Sequence, residues 1–162
     1  MTLVDRRVFL GLSGAAAVSL LLFGRTGSAS SGLHFRVSHS EDEWRRMLGT
    51  QRFAVLREAA TEHAYTSPLL NEHRKGAFVC AGCGLPLFSS ATKFESGTGW
   101  PSFYRALPGA VVTRTDRSLV MARTEVLCAR CGGHLGHVFD DGPRPTGLRY
   151  CMNGLALQFR TA

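Results

Sequence analysis

Four of the five cysteines fall in two matched pairs, Cys80-Ala-Gly-Cys83-Gly and Cys128-Ala-Arg-Cys131-Gly. With two spacers, both thiolates of one tight turn reach the same metal, and the glycine relieves the backbone where it curls. Two such knuckles supply four sulfurs in a tetrahedron, the donor set of a structural Zn2+ site. Residues 84–127 between them exceed the span of a compact zinc ribbon, so a whole sheet can be inserted there, with the metal clamping its ends. Two other readings stand beside zinc. One is a pair of disulfides, as in an oxidising compartment. The other is a thioredoxin-like redox motif, although no βαβ pattern surrounds either pair.

Subtraction leaves Cys151, in Gly147-Leu-Arg-Tyr-Cys-Met-Asn153. A lone cysteine is commonly a small buried hydrophobe. A nucleophilic one needs neighbours that favour the thiolate and polarise a substrate. Arg149 and Asn153 each lie two residues away, hence on the same face of a strand, where Asn153 could donate a hydrogen bond. The candidate acids are His134 and His137 in Gly133-His-Leu-Gly-His-Val-Phe139, read as a glycine-rich turn held rigidly by the second knuckle. They could instead bind metal, but four cysteines already fill a zinc shell. His34, His39, His63 and His73 have no such context and read as surface or loop residues.

The elements expected to carry these groups are mostly short strands. Candidates are Phe78–Cys80, Val111–Thr115, Leu119–Arg123, Glu125–Leu127, His137–Phe139, Leu148–Asn153 and Leu155–Phe159, with hairpin chemistry at Asp116–Ser118. Ahead of them, Ser40-Glu41-Asp42-Glu43 matches a capping box. A helix is expected through Leu48, with Trp44, Met47 and Leu48 on its apolar face. A second runs from Arg52 to about Ala60, and Tyr65 to Gly76 reads as loop. The class is mainly β, with short helices leading in.

The first thirty residues stand apart. Arg6-Arg7 precedes an uncharged stretch from Val8 to Phe23, then small residues from Gly24 to Gly32. That is the order of an export signal, and the arginine pair before Val8-Phe9-Leu10 suits the twin-arginine type, which carries folded proteins. Sixteen apolar residues are short for a spanning helix. The expected division is a signal over 1–30, cleaved near Ala29 or Ser30 or kept as an anchor, and one domain over 31–162. Export after folding is compatible with zinc loaded in a reducing cytoplasm.

Composition agrees with a globular domain: 162 residues, 44% hydrophobic and 19% charged. Of the net charge of +7, the first thirty residues hold +2 through three arginines against Asp5. The remaining excess is diffuse. A nucleic-acid-binding module would show clustered Lys/Arg with exposed aromatics, and this chain has neither.

Taken together, these segments resemble the methionine-R-sulfoxide reductases. The resemblance is carried by Val79 to Phe88, by Lys93-Phe-Glu-Ser-Gly-Thr-Gly-Trp-Pro-Ser-Phe103, by Arg123 to Val126, by Cys128 to Pro143, and by Pro145 to Asn153. It spans about Ser40 to Phe159. It implies two antiparallel β-sheets with short N-terminal helices and a zinc site. It also implies a Cys151 nucleophile, with His134, His137 and Asn153 around the sulfoxide oxygen and Trp100 against the substrate methyl. Implied partners are oxidised proteins or peptides bearing methionine-R-sulfoxide and a thioredoxin-like or small-thiol reductant; no nucleic acid is expected, and a monomer is. Thr98 stands where many relatives carry a second, resolving cysteine. Met152, Gly154 and Ala64-Tyr65 are further departures. The resulting expectation is an exported, periplasmic or extracytoplasmic repair enzyme whose Cys151 sulfenic acid is regenerated by an external thiol.

Overall fold

The computed structural model describes residues 34–118 and 121–162. The expected signal over 1–30, and the first two residues of the strand expected at Leu119–Arg123, lie outside the described residues. Helix α1 (Glu41–Glu58) begins as the capping box requires. The Glu43 amide donates to Ser40 Oγ at 3.3 Å, and the Ser40 amide donates back to the Glu43 carboxylate at 2.8 Å. The two expected helices adjoin as one kinked element, because Gly49 leaves helical geometry at φ 67°, ψ 171°. Trp44, Phe53, Val55 and Leu56 are buried on its inner side. Met47, expected on that apolar side, is 56% exposed, while Trp44 and Leu48 of the same helical segment pack on the core.

Among the described residues, nine strands follow. β1 (Gly76–Cys80), β2 (Pro86–Ser89) and β9 (Leu157–Thr161) form a three-stranded antiparallel sheet in the order β2-β1-β9. β3 (Lys93–Phe94), β4 (Ser102–Phe103), β5 (Val111–Asp116), β6 (Arg123–Cys128), β7 (His134–Phe139) and β8 (Arg149–Met152) form a six-stranded sheet ordered β3-β4-β8-β7-β6-β5. β8 is late in sequence yet enters between β4 and β7, which places Cys151 in the middle of the larger sheet. The strands expected from sequence are present in outline except that at Leu119–Arg123, of whose described residues only Arg123 is in a strand, as the first residue of β6. β2, β3 and β4 were missed, since they are only two to four residues long, too short for a period-2 pattern to show. The expected hairpin turn at Asp116–Ser118 is longer than drawn: Asp116 pairs with Arg123, so residues 117–122 connect β5 to β6. Leu155 and Ala156 belong to a 3-10 turn, Gly154–Ala156, rather than to β9.

The two sheets meet over an aromatic core. Phe88 stacks on Phe103 at 4.4 Å, and Phe78 meets Phe103 edge-on at 4.9 Å. All three are fully buried with Leu87, Leu135 and Met152. Each such side chain contributes roughly 1.5–3 kcal/mol by leaving water. This core sits directly beneath β4 and β8 and makes the platform for Cys151 stiff.

Candidate active site

The strand register aligns one face of the larger sheet into a row. Arg114 pairs with Glu125, Glu125 with His137, His137 with Cys151, and Cys151 with Ser102. Directly opposed residues on adjacent antiparallel strands present their side chains to the same face. The Cys151 sulfur is therefore flanked by an imidazole on one side and a hydroxyl on the other.

His134 lies on a strand rather than in the glycine-rich turn expected there, and His137 lies on the strand expected from that residue onward, which begins earlier, at His134. Three residues apart, they would face opposite ways on a regular strand. β7 avoids this with a bulge: Val126 pairs with Gly136 while Leu127 pairs with His134. The slip brings both rings to one face, 5.5 Å apart between centroids. Gly136 makes it possible. Its φ is 153°, and a Cβ there would run into the Cys151 carbonyl oxygen.

Cys151, His137, Asn153 and Trp100 border one cavity of about 130 Å3, closed by Thr61, Arg123, Gly136 and Phe139. The indole of Trp100 is fixed by donating Nε1–H to the Glu62 carbonyl at 3.1 Å. Asn153 is buried with both ends of its amide used: Oδ1 accepts from the Glu62 amide at 3.0 Å, and Nδ2 donates to the Leu135 carbonyl at 3.3 Å. It leaves the strand one residue after β8 ends, so it shares the cavity with Cys151 but not the strand face expected for it. His134 and Arg149 stand outside the cavity lining. Arg149 makes a two-pronged ion pair with Asp141 at 2.8 Å and lies over the Phe139 ring at 4.4 Å, bracing that wall. A larger groove of about 1000 Å3 runs past Thr61 and Glu62, lined in part by Arg52, Glu72 and Phe159. It contains no thiol, so the smaller cavity is the chemical one.

Two carboxylates, neither singled out by the sequence, hold the imidazoles. His137 Nε2 meets Asp116 Oδ2 at 2.8 Å, and Arg123 donates to the same oxygen at 2.7 Å. Hydrogen bonds from Ser118, then from His137 and Arg123, hold the Asp116 carboxyl well below its usual range. His134 Nδ1 meets Glu125 Oε1 at 2.6 Å, and Arg114 binds the other oxygen of Glu125. Burial opposes ionisation of Glu125, but the bonds from Arg114 and His134 outweigh it and hold its carboxyl down. Burial pushes the His134 imidazole below its usual value, partly offset by Glu125. Glu62 is a third missed carboxylate. It is buried and accepts from the Gly154 and Leu155 amides, tying the residues after Asn153 to the loop before Trp100. Gly154 suits this, since a Cβ there would meet the Ser67 hydroxyl. The sequence did not single out Asp116, Glu125 or Glu62, because the site groups they hold (His137, His134, and the Gly154 and Leu155 amides) are 9 to 93 residues away.

At the far end of the sheets, Cys80, Cys83, Cys128 and Cys131 converge with all four Sγ atoms within 4.8 Å of one another. The closest approaches, Cys83–Cys128 at 3.5 Å and Cys80–Cys131 at 3.7 Å, join one sulfur from each knuckle. A tetrahedral metal with sulfur bonds of about 2.3 Å separates its ligands by roughly 3.8 Å. Disulfide sulfurs would lie about 2.05 Å apart, and all the described cysteines are free. Hydrogen bonds with Cys128, Cys131 and Cys83, then burial, push the Cys80 thiol up, whereas Cys83 is drawn down by its bonds with Cys128, Cys131 and Cys80. A divalent cation removes that conflict by replacing the protons, so the donor set fits a metal. Arginines brace both knuckles, Arg57 donating to the Cys131 carbonyl at 3.0 Å and Arg130 to that of Cys83 at 3.2 Å.

Comparison with known proteins agrees with this geometry. The family model described as the SelR domain matches residues 48–161. The chain is 51% identical over 129 residues to the peptide methionine sulfoxide reductase MsrB of Leptospira interrogans, covering 79% of this chain and 98% of that protein. It is 56% identical over 124 residues to the MsrB of Bradyrhizobium diazoefficiens, covering 76% and 89%. With the chloroplastic peptide methionine sulfoxide reductase B1 of Arabidopsis thaliana it shares 50% over 122 residues, covering 75% and 60%.

Proposed function

Because the chain belongs to the SelR-domain family and is a peptide-methionine (R)-S-oxide reductase, we propose that it performs this reduction through Cys151. The observation that carries the reading is the direct cross-strand pairing of Cys151 with His137 at a cavity walled by Trp100. The Cys151 thiolate attacks the sulfoxide sulfur, and the oxygen passes to Cys151 with one proton. Thiolate, sulfoxide and proton thus become a sulfenic acid and a thioether. A sulfoxide sulfur is a poor electrophile until its oxygen is protonated or hydrogen-bonded. His137 supplies the proton from Nδ1, the ring nitrogen left free because Nε2 is held by Asp116 Oδ2. His134 and Glu125 back this row, and Asn153 orients the cavity floor. Trp100 holds the S-methyl group by apolar and sulfur–aromatic contact. Fixing methyl, oxygen and peptide together selects one epimer of a stereogenic sulfur.

The sulfenic acid then meets an external thiol, from a small molecule or a thioredoxin-like protein. One thiol gives a mixed disulfide and water; a second releases Cys151 and an external disulfide. Thr98 occupies the place of an internal resolving cysteine, and the other four cysteines are given to the metal cluster. Zn2+ is the metal we assign there, held by Cys80, Cys83, Cys128 and Cys131, where it would supply folding energy. The working protein is a monomer exported through its twin-arginine-type signal, repairing oxidised extracytoplasmic proteins. Replacing Arg6 and Arg7 by lysine should then retain it in the cytoplasmic fraction.

The decisive assay offers the separate R and S epimers of dabsylated methionine sulfoxide with dithiothreitol. Turnover of the R epimer alone, abolished by Cys151→Ser, is expected. R turnover that survives Cys151→Ser would remove Cys151 as nucleophile.

A further inference from the structure

The loop from Ser96 to Ser102 places three hydroxyls in a chain that ends on the reactive sulfur. Ser102 Oγ lies 3.2 Å from the Trp100 carbonyl and 2.8 Å from Ser96 Oγ. Ser96 Oγ lies 2.9 Å from Thr98 Oγ1, and Thr98 Oγ1 lies 3.8 Å from Cys151 Sγ. Ser102 is 1% exposed and is also the cross-strand partner of Cys151, so both ends of the chain are anchored to the same strand pair.

Hydroxyls both donate and accept, and a chain of them has two complete orientations. In one, the Cys151 thiol donates to Thr98, Thr98 to Ser96, Ser96 to Ser102 and Ser102 to the Trp100 carbonyl. In the other every hydroxyl has turned, and Thr98 donates to the sulfur. The Thr98 amide donates to Ser96 Oγ at 3.4 Å and is satisfied in either orientation. The loop is held in place from outside. Tyr65 donates its hydroxyl to the Gly97 carbonyl at 2.6 Å and its amide to the Gly99 carbonyl at 2.7 Å. Gly97 and Gly99, at φ 71° and 90°, allow the tight fold between those two points.

We propose that Thr98 is a catalytic hydrogen-bond donor to Cys151, reversed in step with the sulfur's protonation by the positioning residues Ser96 and Ser102. The chain donates to the thiolate poised for attack and accepts from the thiol in the protonated resting form, so the sulfur has a hydrogen-bond partner in both protonation states. Other groups facing Cys151 are His137 on β7, Arg123 on β6 and Arg149 on its own strand; Asp116 backs the first two and Asp141 the third. The inference rests on the reading of Cys151 as nucleophile, and its test does not depend on sulfoxide turnover.

The test is the rate of Cys151 alkylation by iodoacetamide in the full-length, zinc-loaded protein, followed by peptide mass spectrometry across pH. Thr98→Val keeps the shape and removes the hydroxyl. It should displace the pH–rate profile to the alkaline side and slow alkylation at neutral pH by about tenfold, the scale of a hydrogen bond to a charged group. Thr98→Ser should restore the rate to within roughly twofold. Ser96→Ala, which leaves Thr98 without a hydroxyl partner, should fall between wild type and Thr98→Val, and it serves as the second probe if the valine variant is unstable. A profile for Thr98→Val and Ser96→Ala superimposed on wild type overturns the proposal. Normal displacement of the profile in a protein that turns over neither epimer supports the chain while removing the proposed reaction.

Discussion

At the scale of single residues, the two imidazoles look alike in sequence and are unlike in place. His137 borders the cavity and is paired with an ionised carboxylate, whereas His134 is buried behind it and favours the neutral form. His137→Gln is therefore expected to lower kcat/KM for methionine-R-sulfoxide by about 10²–10⁴, the range for loss of a general acid. His134→Gln should cost less than His137→Gln, since its effect passes through Glu125 and the position of the row. Steady-state kinetics of the two variants checks this. A larger loss at His134 would reassign the proton donor.

Among elements, β7 carries the clearest consequence. Its bulge puts His134 against Glu125 in a buried pair, and that pair makes stability depend on pH. The folded state depresses both the His134 and the Glu125 values, so the unfolded chain binds more protons at each. The His134 contribution is complete above the ordinary imidazole value of about 6.5 and declines as pH falls below it. The Glu125 contribution is complete above about 4.3 and is lost on further acidification. Urea unfolding between about pH 7.5 and 5.5 should show stability falling with acid in wild type and a flatter curve in His134→Gln. Equal slopes would mean that His134 carries no buried-neutral term.

For the whole molecule, the four-cysteine cluster is a second meeting of the two sheets besides the aromatic core. Cys80 ends β1 of the small sheet and Cys128 ends β6 of the large one, so a metal held by the four sulfurs would bind the two sheets across the length of the insertion. Structural zinc contributes on the order of 10 kcal/mol of binding free energy in small domains, comparable with the entire stability of a domain this size. Removing the metal with a chelator should lower the melting temperature sharply and release one equivalent of zinc, with activity lost only as the fold opens. A protein that keeps its melting temperature without metal would show that the aromatic core suffices.

How much was legible beforehand follows from where each signal resides. The knuckles were readable because the ligand spacing is local: two residues between cysteines set the bite whatever surrounds them. Cys151 was readable by subtraction, and the capping box at Ser40 and Glu43 is an exchange within one turn. Asn153 was singled out by its two-residue spacing from Cys151, whereas only the family resemblance named Trp100. What the sequence could not display was cross-strand register. Whether His134 and His137 share a face depends on a bulge at Gly136, and that bulge is defined only against β6. Asp116, Glu125 and Glu62 become partners of the site because strands distant in sequence are laid side by side. Thr98 could be read only as a missing cysteine. Its meeting with Cys151, Ser96 and Ser102 was decided by β8 entering the sheet beside β4. Local chemistry is written along the chain, while the pairing of that chemistry is set by hydrogen-bond register between segments, and only the folded chain determines it.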